Sequence, residues 1–281
     1  MLTSFRGNAQ TAQDTTKLYR IETNDGNEYV GRIIFKSSEI VRLKTEKLGE
    51  LTINQKDISK IVLISKERVE GGAMSYSNLH ASRYFCSSNG YGIGKGNGYY
   101  QNMWIFYNQV GYGITNNISI GVGIVPLFLF AGANSPAWIT PKLTFPIVKD
   151  RVNVGVGILA ATVLGANTET TGFAYGVSTF GTVNNNVSIG IAYGYYGSSW
   201  ADRPVIALNG KVRVGKKSYL MSENYYIGVS SEDYVVLSLF GGRSLIRKVA
   251  LDYGLVFPVY KDMSNFFAIP WLGITIPFGS N

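Results

Sequence analysis

Residues 187–195 of the chain read Val187-Ser188-Ile189-Gly190-Ile191-Ala192-Tyr193-Gly194-Tyr195. Large apolar side chains occupy the odd positions of this stretch, and Ser, Gly or Ala occupies the even positions. An alternation with a period of two is typical of a β-strand whose two faces meet different surroundings. The stretch therefore predicts a strand, and the content of its two faces indicates the kind of sheet that it belongs to.

The same alternation recurs at residues 118–124, 152–158, 172–178 and 248–257. In a soluble β-sandwich, the alternative fold, the face opposite the core would meet water and be rich in charged residues. Here that second face is mostly Gly, Ala, Ser and Asn. A membrane barrel places large apolar residues against lipid and small or polar ones toward its lumen. The pattern therefore favours an all-β protein built on a transmembrane antiparallel β-barrel.

Composition divides the chain into two parts. Charged residues number 22 in residues 1–70 but only 22 in the remaining 211, which also hold most of the 33 glycines. We expect a small β-domain at 17–66, a linker at 67–82 and the barrel at 83–281. Residues 1–16 are interpreted as a residual signal peptide or a flexible terminus, because Met1–Phe5 and Asn8–Gln10 resemble the end of a secretory signal without its apolar region.

Turn signals divide the second part into about twelve strands, with ten as the alternative. The predicted strands are 81–87, 99–113, 118–130, 137–147, 151–164, 171–181, 187–196, 204–215, 217–229, 233–242, 247–258 and 266–278. Short turns alternate with longer connections, as in bacterial barrels whose tight turns face the periplasm. We therefore expect residues 88–98 to form the first outer loop and the chain to end in the periplasm.

The first part contains five short predicted strands within about fifty residues. Asp25-Gly26 and Tyr29-Val30-Gly31-Arg32-Ile33 resemble an Sm-like or SH3-like small barrel. The Asp-x-x-Asn and Arg-Gly signatures of RNA-binding Sm proteins are absent, and Ser37-Ser38-Glu39 stands in place of the first. The net charge of residues 1–70 is only +2, from 12 cations and 10 anions, which gives little attraction for phosphate. We therefore expect no nucleic-acid partner.

As a whole, the chain from Lys17 onward resembles a group of two-part outer-membrane β-barrel proteins of the Bacteroidota. The stretches that carry the resemblance are Ser82–Phe85, Gly98–Asn102, Ile118–Gly123 and Ile269–Gly273. The resemblance implies an outer-membrane location and a β-barrel fold, with outer-membrane lipid as a partner. It implies no activity, because the members of this group are mostly uncharacterised.

Candidate catalytic residues are few. The chain has one His and one Cys, so neither a multi-His metal site nor an internal disulfide can form. His80 falls in the predicted linker, where it would lack an orienting partner, and the carboxylates Glu232, Asp233 and Asp262 fall in separate predicted loops. The glycine run 90–98 with Lys95 lacks the Ser or Thr and the helix of a phosphate loop, and Cys86 is expected to be a packing residue. The sequence therefore predicts no enzyme, no cofactor and no metal.

Polar residues at small-residue positions of the strands are the remaining candidate site. If the large apolar residues face lipid, these polar side chains face the lumen: Lys142, Asn153, Asn209, Lys211, Arg213, Lys248 and Asp252. Four cations against one anion would give a water-filled lumen a weak preference for anions. The alternative is a plugged barrel, in which these residues form salt bridges with Asp252 and with Glu223, whose face is uncertain.

Two functions follow from these alternatives. The first is an outer-membrane pore with a weak anion preference for small solutes. The second is a structural or interaction protein with a plugged barrel, whose residues 17–67 bind a periplasmic protein partner.

Overall fold

A computed structural model of the chain describes residues 17–46, 48–64, 69–70, 73–74, 80–148, 151–229, 233–246, 248–261, 263, 265 and 267–279. The chain divides into two compact units, Met1–Ser77 and Asn78–Asn281. The predicted terminal segment 1–16 lies outside the described residues, as do Glu232 and Asp262. The linker predicted at 67–82 is too long, because residues 80–82 belong to the second unit.

The first unit is a five-stranded antiparallel sheet in the order β4-β3-β2-β1-β5. Its strands are β1 (Leu18–Thr23), β2 (Glu28–Lys36), β3 (Ile40–Lys44), β4 (Glu50–Asn54) and β5 (Ile58–Ile64), with a 3₁₀ turn at Gln55–Asp57. One side of the sheet buries a cluster of aliphatic side chains: Ile21, Ile33, Val41, Leu43 and Ile53. The five predicted strands are confirmed, and the likeness to Sm or SH3 domains stays a prediction.

The first hairpin of this sheet is set by its turn residues. Gly26 has φ +83°, a left-handed conformation that glycine adopts without steric cost. The Thr23 hydroxyl donates to Asp25 Oδ1 at 2.5 Å, and the Asn27 backbone N–H donates to the same oxygen at 3.3 Å. These hydrogen bonds favour the ionised carboxylate, so the pKa of Asp25 lies below its usual value, chiefly because of Thr23. Two short strands, β6 (Val69–Glu70) and β7 (Ala73–Met74), follow the sheet.

The second unit is a closed antiparallel barrel of twelve long strands, as predicted. The sheet closes because β8 pairs with β20, the last strand, and each long strand between them pairs with the next long strand along the chain. The strands are β8 (Asn97–Met103), β9 (Tyr107–Gly113), β10 (Ile118–Ile124), β11 (Ser135–Val148), β12 (Val152–Leu164), β13 (Thr171–Gly181), β14 (Asn186–Tyr196), the two-residue β15 (Ser199–Trp200), β16 (Val205–Arg213), β17 (Ser218–Gly228), β18 (Tyr234–Ile246), β19 (Val249–Tyr260) and β20 (Ile269–Gly279).

The predicted number of strands, twelve, is right, although two of the twelve predicted strands are wrong. The segment 81–87, predicted as the first strand, is not a strand, and the predicted strand 99–113 is a hairpin of β8 and β9. Its tight turn places the non-glycine residues Trp104 and Ile105 at φ +47° and +68°. Apolar residues in left-handed conformations carry no turn signal in the sequence, so the hairpin was missed.

Strand β14 shows how the two faces of the barrel differ. Val187, Ile189 and Ile191 point outward and are 52%, 53% and 48% exposed. Ser188 between them points into the barrel and is fully buried. The same outward apolar row continues on neighbouring strands, so an apolar surface surrounds the barrel, as a membrane-spanning barrel requires.

Two local predictions are wrong. On β13, Val177 and Thr179 face the lumen and Phe180 faces outward, so the apolar row Phe173–Val177 is not a lipid-facing row. The reason is the register, which places Val177 beside Gly190 and Thr179 beside Ser188 of β14.

The second error lies at the end of β10. The strand predicted at 118–130 ends at Ile124, and Pro126 begins a five-residue helix, α1 (Pro126–Phe130). Proline suits the first turn of a helix because that turn needs no backbone N–H donor from it. Among the described residues, no helix has the length and apolar content to span a membrane.

Candidate functional site

The lumen of the barrel is occupied by residues 80–96, called the plug from here on. This segment follows no regular strand or helix, and its side chains Tyr84 and Phe85 are fully buried. It includes most of the stretch predicted as a first strand and an outer loop. Its side chains and backbone bind inward-facing residues of many barrel strands, so the plug and the lumen wall form one polar network.

Five of the seven predicted lumen residues are buried inside the barrel: Lys142, Asn153, Asn209, Lys211 and Asp252. The other two are placed differently. Lys248 is exposed in the β18–β19 turn, where alternation no longer applies. Arg213, at the end of β16, folds back and donates to Gly215 O and to Lys216 O. These two side chains therefore belong to the turns at one end of the barrel.

The two lumen lysines donate to backbone oxygens of the plug. Lys142 Nζ lies 3.1 Å from Ser82 O and 2.8 Å from Tyr91 O. Lys211 Nζ lies 3.1 Å from Ala81 O. Ala81 O and Ser82 O also accept from Asn89, through its side-chain amide and its backbone N–H, so each ammonium adds a charged donor to a carbonyl that is already hydrogen-bonded inside the plug. The lysines hold the plug instead of lining open water.

Arg243 joins the plug to the wall most firmly. Its Nε and Nη2 donate to the two carboxylate oxygens of Asp252 at 2.6 and 2.8 Å, and both side chains are 1% exposed. The same guanidinium donates to His80 O at 3.3 Å and to Tyr84 O at 2.5 Å. A bidentate pair with further hydrogen bonds is the geometry in which a buried ion pair is sustained.

Glu223 faces the lumen, which settles a point that the sequence left open. Its Oε1 accepts the backbone N–H groups of Cys86 and Ser87 at 2.9 and 3.0 Å. Its Oε2 accepts the Tyr225 hydroxyl at 2.8 Å. The expected pairing of Glu223 with lumen cations is thus replaced by hydrogen bonds to the plug backbone.

Glycine lets the plug backbone approach the wall. A Cβ added to Gly90 would lie 2.3 Å from Asn153 O, and one added to Gly92 would lie 2.7 Å from Asn116 O. The Gly90 N–H donates to the Thr179 hydroxyl at 2.7 Å, and the Tyr84 hydroxyl donates to Asn186 Oδ1 at 2.7 Å. The glycine run is therefore a packing device of the plug and not an outer loop.

Sequence reasoning missed Arg83 and Arg243, which are 3% and 1% exposed. The predicted strand 233–242 ends one residue before Arg243, although the period of two that starts at Leu239 carries this residue to the inner face of β18. Arg83 was assigned to a strand, and no local pattern marks it as part of a plug. The signal for Arg243 was present in the sequence, whereas that for Arg83 was not.

Aromatic rings lie against glycines of the adjacent strand at several points of the inner wall. An added Cβ on Gly111 would lie 2.5 Å from the Tyr99 ring, and one on Gly123 would lie 2.1 Å from the Trp138 ring. Tyr107 stacks on Trp138 with ring centroids 4.2 Å apart. Because these rings cover glycines, they take less of the lumen than rings projecting across it.

Cys86 of the plug is exposed.

His80 is not a linker residue. Its ring is 1% exposed inside the barrel unit, and its Nε2 lies 3.2 Å from Lys248 O. Because Lys248 lies in a tight turn, the chain enters the lumen at the tight-turn end. Among the described residues, no group of three or more His, Cys, Asp or Glu side chains is arranged to hold a metal ion.

No family model matches the chain, and no curated protein matches it. Solved structures of OmpT, an outer membrane protein of Vibrio cholerae, do match. A mutant lacking loop L8 is 12% identical, with a TM-score of 0.36 over 93% of this chain and 96% of that one. The in-vitro folded trimer form is 10% identical, with a TM-score of 0.33 over 93% and 96%. The second unit of this chain has the fold of an outer-membrane β-barrel, which its own strand pairing shows.

The prediction that the chain is not an enzyme is wrong, because the ground on which it excluded an enzyme does not hold in the structure. It rested on a flexible position for His80, whereas this imidazole is buried and held against the barrel. The exclusion therefore loses its support.

Proposed function

We propose that the protein is an outer-membrane β-barrel whose passage is closed by its own plug. The observation that carries the proposal is that Lys142, Lys211 and Arg243, three inward cations, all donate to backbone oxygens of the plug. Cations that lined an open channel would instead be hydrated and available to passing anions. The closed barrel therefore fits these contacts better than a pore with an anion preference.

Conductance across a planar bilayer tests this proposal. We expect no steady current from the unmodified protein, because the plug fills the lumen. Gly90→Val should produce current, since even a Cβ at this position would lie 2.3 Å from Asn153 O and would displace the plug. Gly176→Val is the matched control, because an added Cβ there meets nothing within 4 Å.

Heat-modifiable migration on gels would verify that each variant retains a folded barrel. Steady current from the unmodified protein would overturn the closed-barrel proposal. If that current also favoured anions, the protein would be a pore of the kind that the sequence first suggested.

We also propose that residues 17–67 lie in the periplasm and bind a protein partner there. The chain enters the lumen at His80, beside the turn residue Lys248. Tight turns of bacterial barrels face the periplasm, so the residues that precede the plug belong to the same compartment. Exposed aliphatic side chains of the first unit, Leu48 at 64% and Leu63 at 56%, are candidates for contact with the partner.

Site-specific photocrosslinking in the full chain tests the partner. A photoreactive residue at position 48 or 63 should give a discrete protein adduct in intact cells, and Leu63→Arg should remove the adduct formed from position 48. Lys216, exposed in a tight turn of the barrel, is the control position in the same compartment. The absence of adducts at 48 and 63, or equal adducts at 216, would contradict docking through this domain.

A further inference from the structure

The lumen holds more positive than negative charge. Four cationic side chains, Arg83, Lys142, Lys211 and Arg243, are buried there, each at most 6% exposed. The buried carboxylates among the described residues of the barrel are Glu223 and Asp252. Asp252 is engaged by Arg243 through both oxygens, and Glu223 by the plug backbone and Tyr225.

Among the described residues, Arg83, Lys142 and Lys211 form no ion pair, and Arg83 differs from the two lysines in having N–H donors that are not used. Arg83 is 3% exposed, and its Nη2 donates to the Thr275 hydroxyl at 2.8 Å. Its guanidinium lies 3.7 Å from the centre of the Tyr99 ring, a contact that engages the face of the group. The buried Nε and Nη1 have no hydrogen-bond partner in the part of the chain that the structure describes.

The two lumen lysines bind the plug next to this arginine. Lys211 donates to Ala81 O and Lys142 donates to Ser82 O, the two carbonyls that immediately precede Arg83 in the chain. Three cations are thus fixed around one short segment of the plug, and they repel one another. Buried cations are ordinarily paired, because an unpaired charge loses its hydration without compensation.

We propose that Arg83, with Lys142 and Lys211 close by, binds a small inorganic anion inside the barrel. The anion would accept one of the two unused N–H donors of Arg83, that of Nε or that of Nη1, which lie on different edges of the guanidinium, while Tyr99 covers its face. A water molecule could accept the same hydrogen bond but would leave the positive charge uncompensated. The site does not depend on whether the lumen conducts, since it is formed by contacts between the plug and the wall.

Bromide soaked or grown into crystals of the full-length protein tests this site directly. We expect an anomalous difference peak within hydrogen-bond distance of Arg83 Nε or Nη1. Density without anomalous signal at this position, which indicates water, would overturn the proposal. This measurement uses the unmodified protein, so it remains decisive even where a variant fails to fold.

Stability in chloride supplies a second readout. Replacing sodium gluconate with sodium chloride at equal ionic strength should raise the midpoint temperature of heat-modifiable migration, by about 5 °C once chloride reaches a hundredfold its dissociation constant. Arg83→Met should remove this dependence. Arg151→Met, which alters an exposed cation in the β11–β12 turn, should retain it. An unchanged chloride dependence in Arg83→Met would contradict the assignment.

Discussion

Arg243 shows how one residue links three parts of the barrel unit. Its guanidinium binds Asp252 on the adjacent strand β19 and two carbonyls of the plug. Both charged side chains are 1% exposed, so neither could be hydrated if the other were lost. The pair therefore couples the fold of the wall to the position of the plug.

Removal of one member of this pair should be costly. Arg243→Leu leaves Asp252 buried without its partner, and we expect a loss of about 3–5 kcal/mol in barrel stability. The double variant Arg243→Leu, Asp252→Leu should lose less than Arg243→Leu alone, because no uncompensated charge remains. Urea titration of heat-modifiable migration in detergent measures both values, and equal losses in the single and double variants would contradict the coupling.

The residues of the β8–β9 turn explain the largest error in strand assignment. The β8–β9 turn uses Trp104 and Ile105 in left-handed conformations instead of glycine or asparagine. The Trp104 indole N–H donates to Pro270 O at 2.7 Å, and its backbone N–H donates to Leu272 O at 3.1 Å. These contacts with β20 stabilise the turn, and they exist only because the barrel closes between its first and last strands.

At the scale of the element, β14 follows its sequence pattern without exception over its central part. Its outward side chains are exposed, and its inward Asn186 and Ser188 are buried. Strand β13 breaks the pattern: its row of large side chains, Phe173 to Val177, continues to Thr179, and Val177 and Thr179 are buried on the lumen side. Alternation therefore predicts that two faces differ, whereas pairing with the neighbouring strand determines which face meets the lumen.

A charge on the outward row of β14 tests whether this surface faces lipid. Ile191→Arg, near the middle of the strand, should lower barrel stability by about 2–4 kcal/mol, because a cation is poorly tolerated near the bilayer midplane. Val187→Arg on the same face, close to the tight turn, should cost only about 0–1 kcal/mol. Reversible folding into vesicles at graded urea concentrations measures both, and equal small losses would contradict a lipid-facing row.

At the scale of the whole molecule, the plug is the observation on which the proposal of a closed barrel rests. Alternation predicts that Lys142 and Lys211 face the lumen, but this orientation is compatible with a pore and with a plugged barrel. Their partners distinguish the two, since Lys142 and Lys211 bind carbonyls at positions 81, 82 and 91. The conductance of Gly90→Val against Gly176→Val is the test at this scale.

Local sequence patterns were enough to predict the all-β class, the barrel, the five-stranded first unit and the inward position of Lys142, Asn153, Asn209, Lys211 and Asp252. These features depend on side-chain alternation and turn residues, which are local. The plug, the pairing of Arg243 with Asp252 and the position of Arg83, which has no acidic partner among the described residues, follow only from the tertiary structure. They join residues as far apart as Arg83 and Thr275, and no local pattern encodes contacts over such separations.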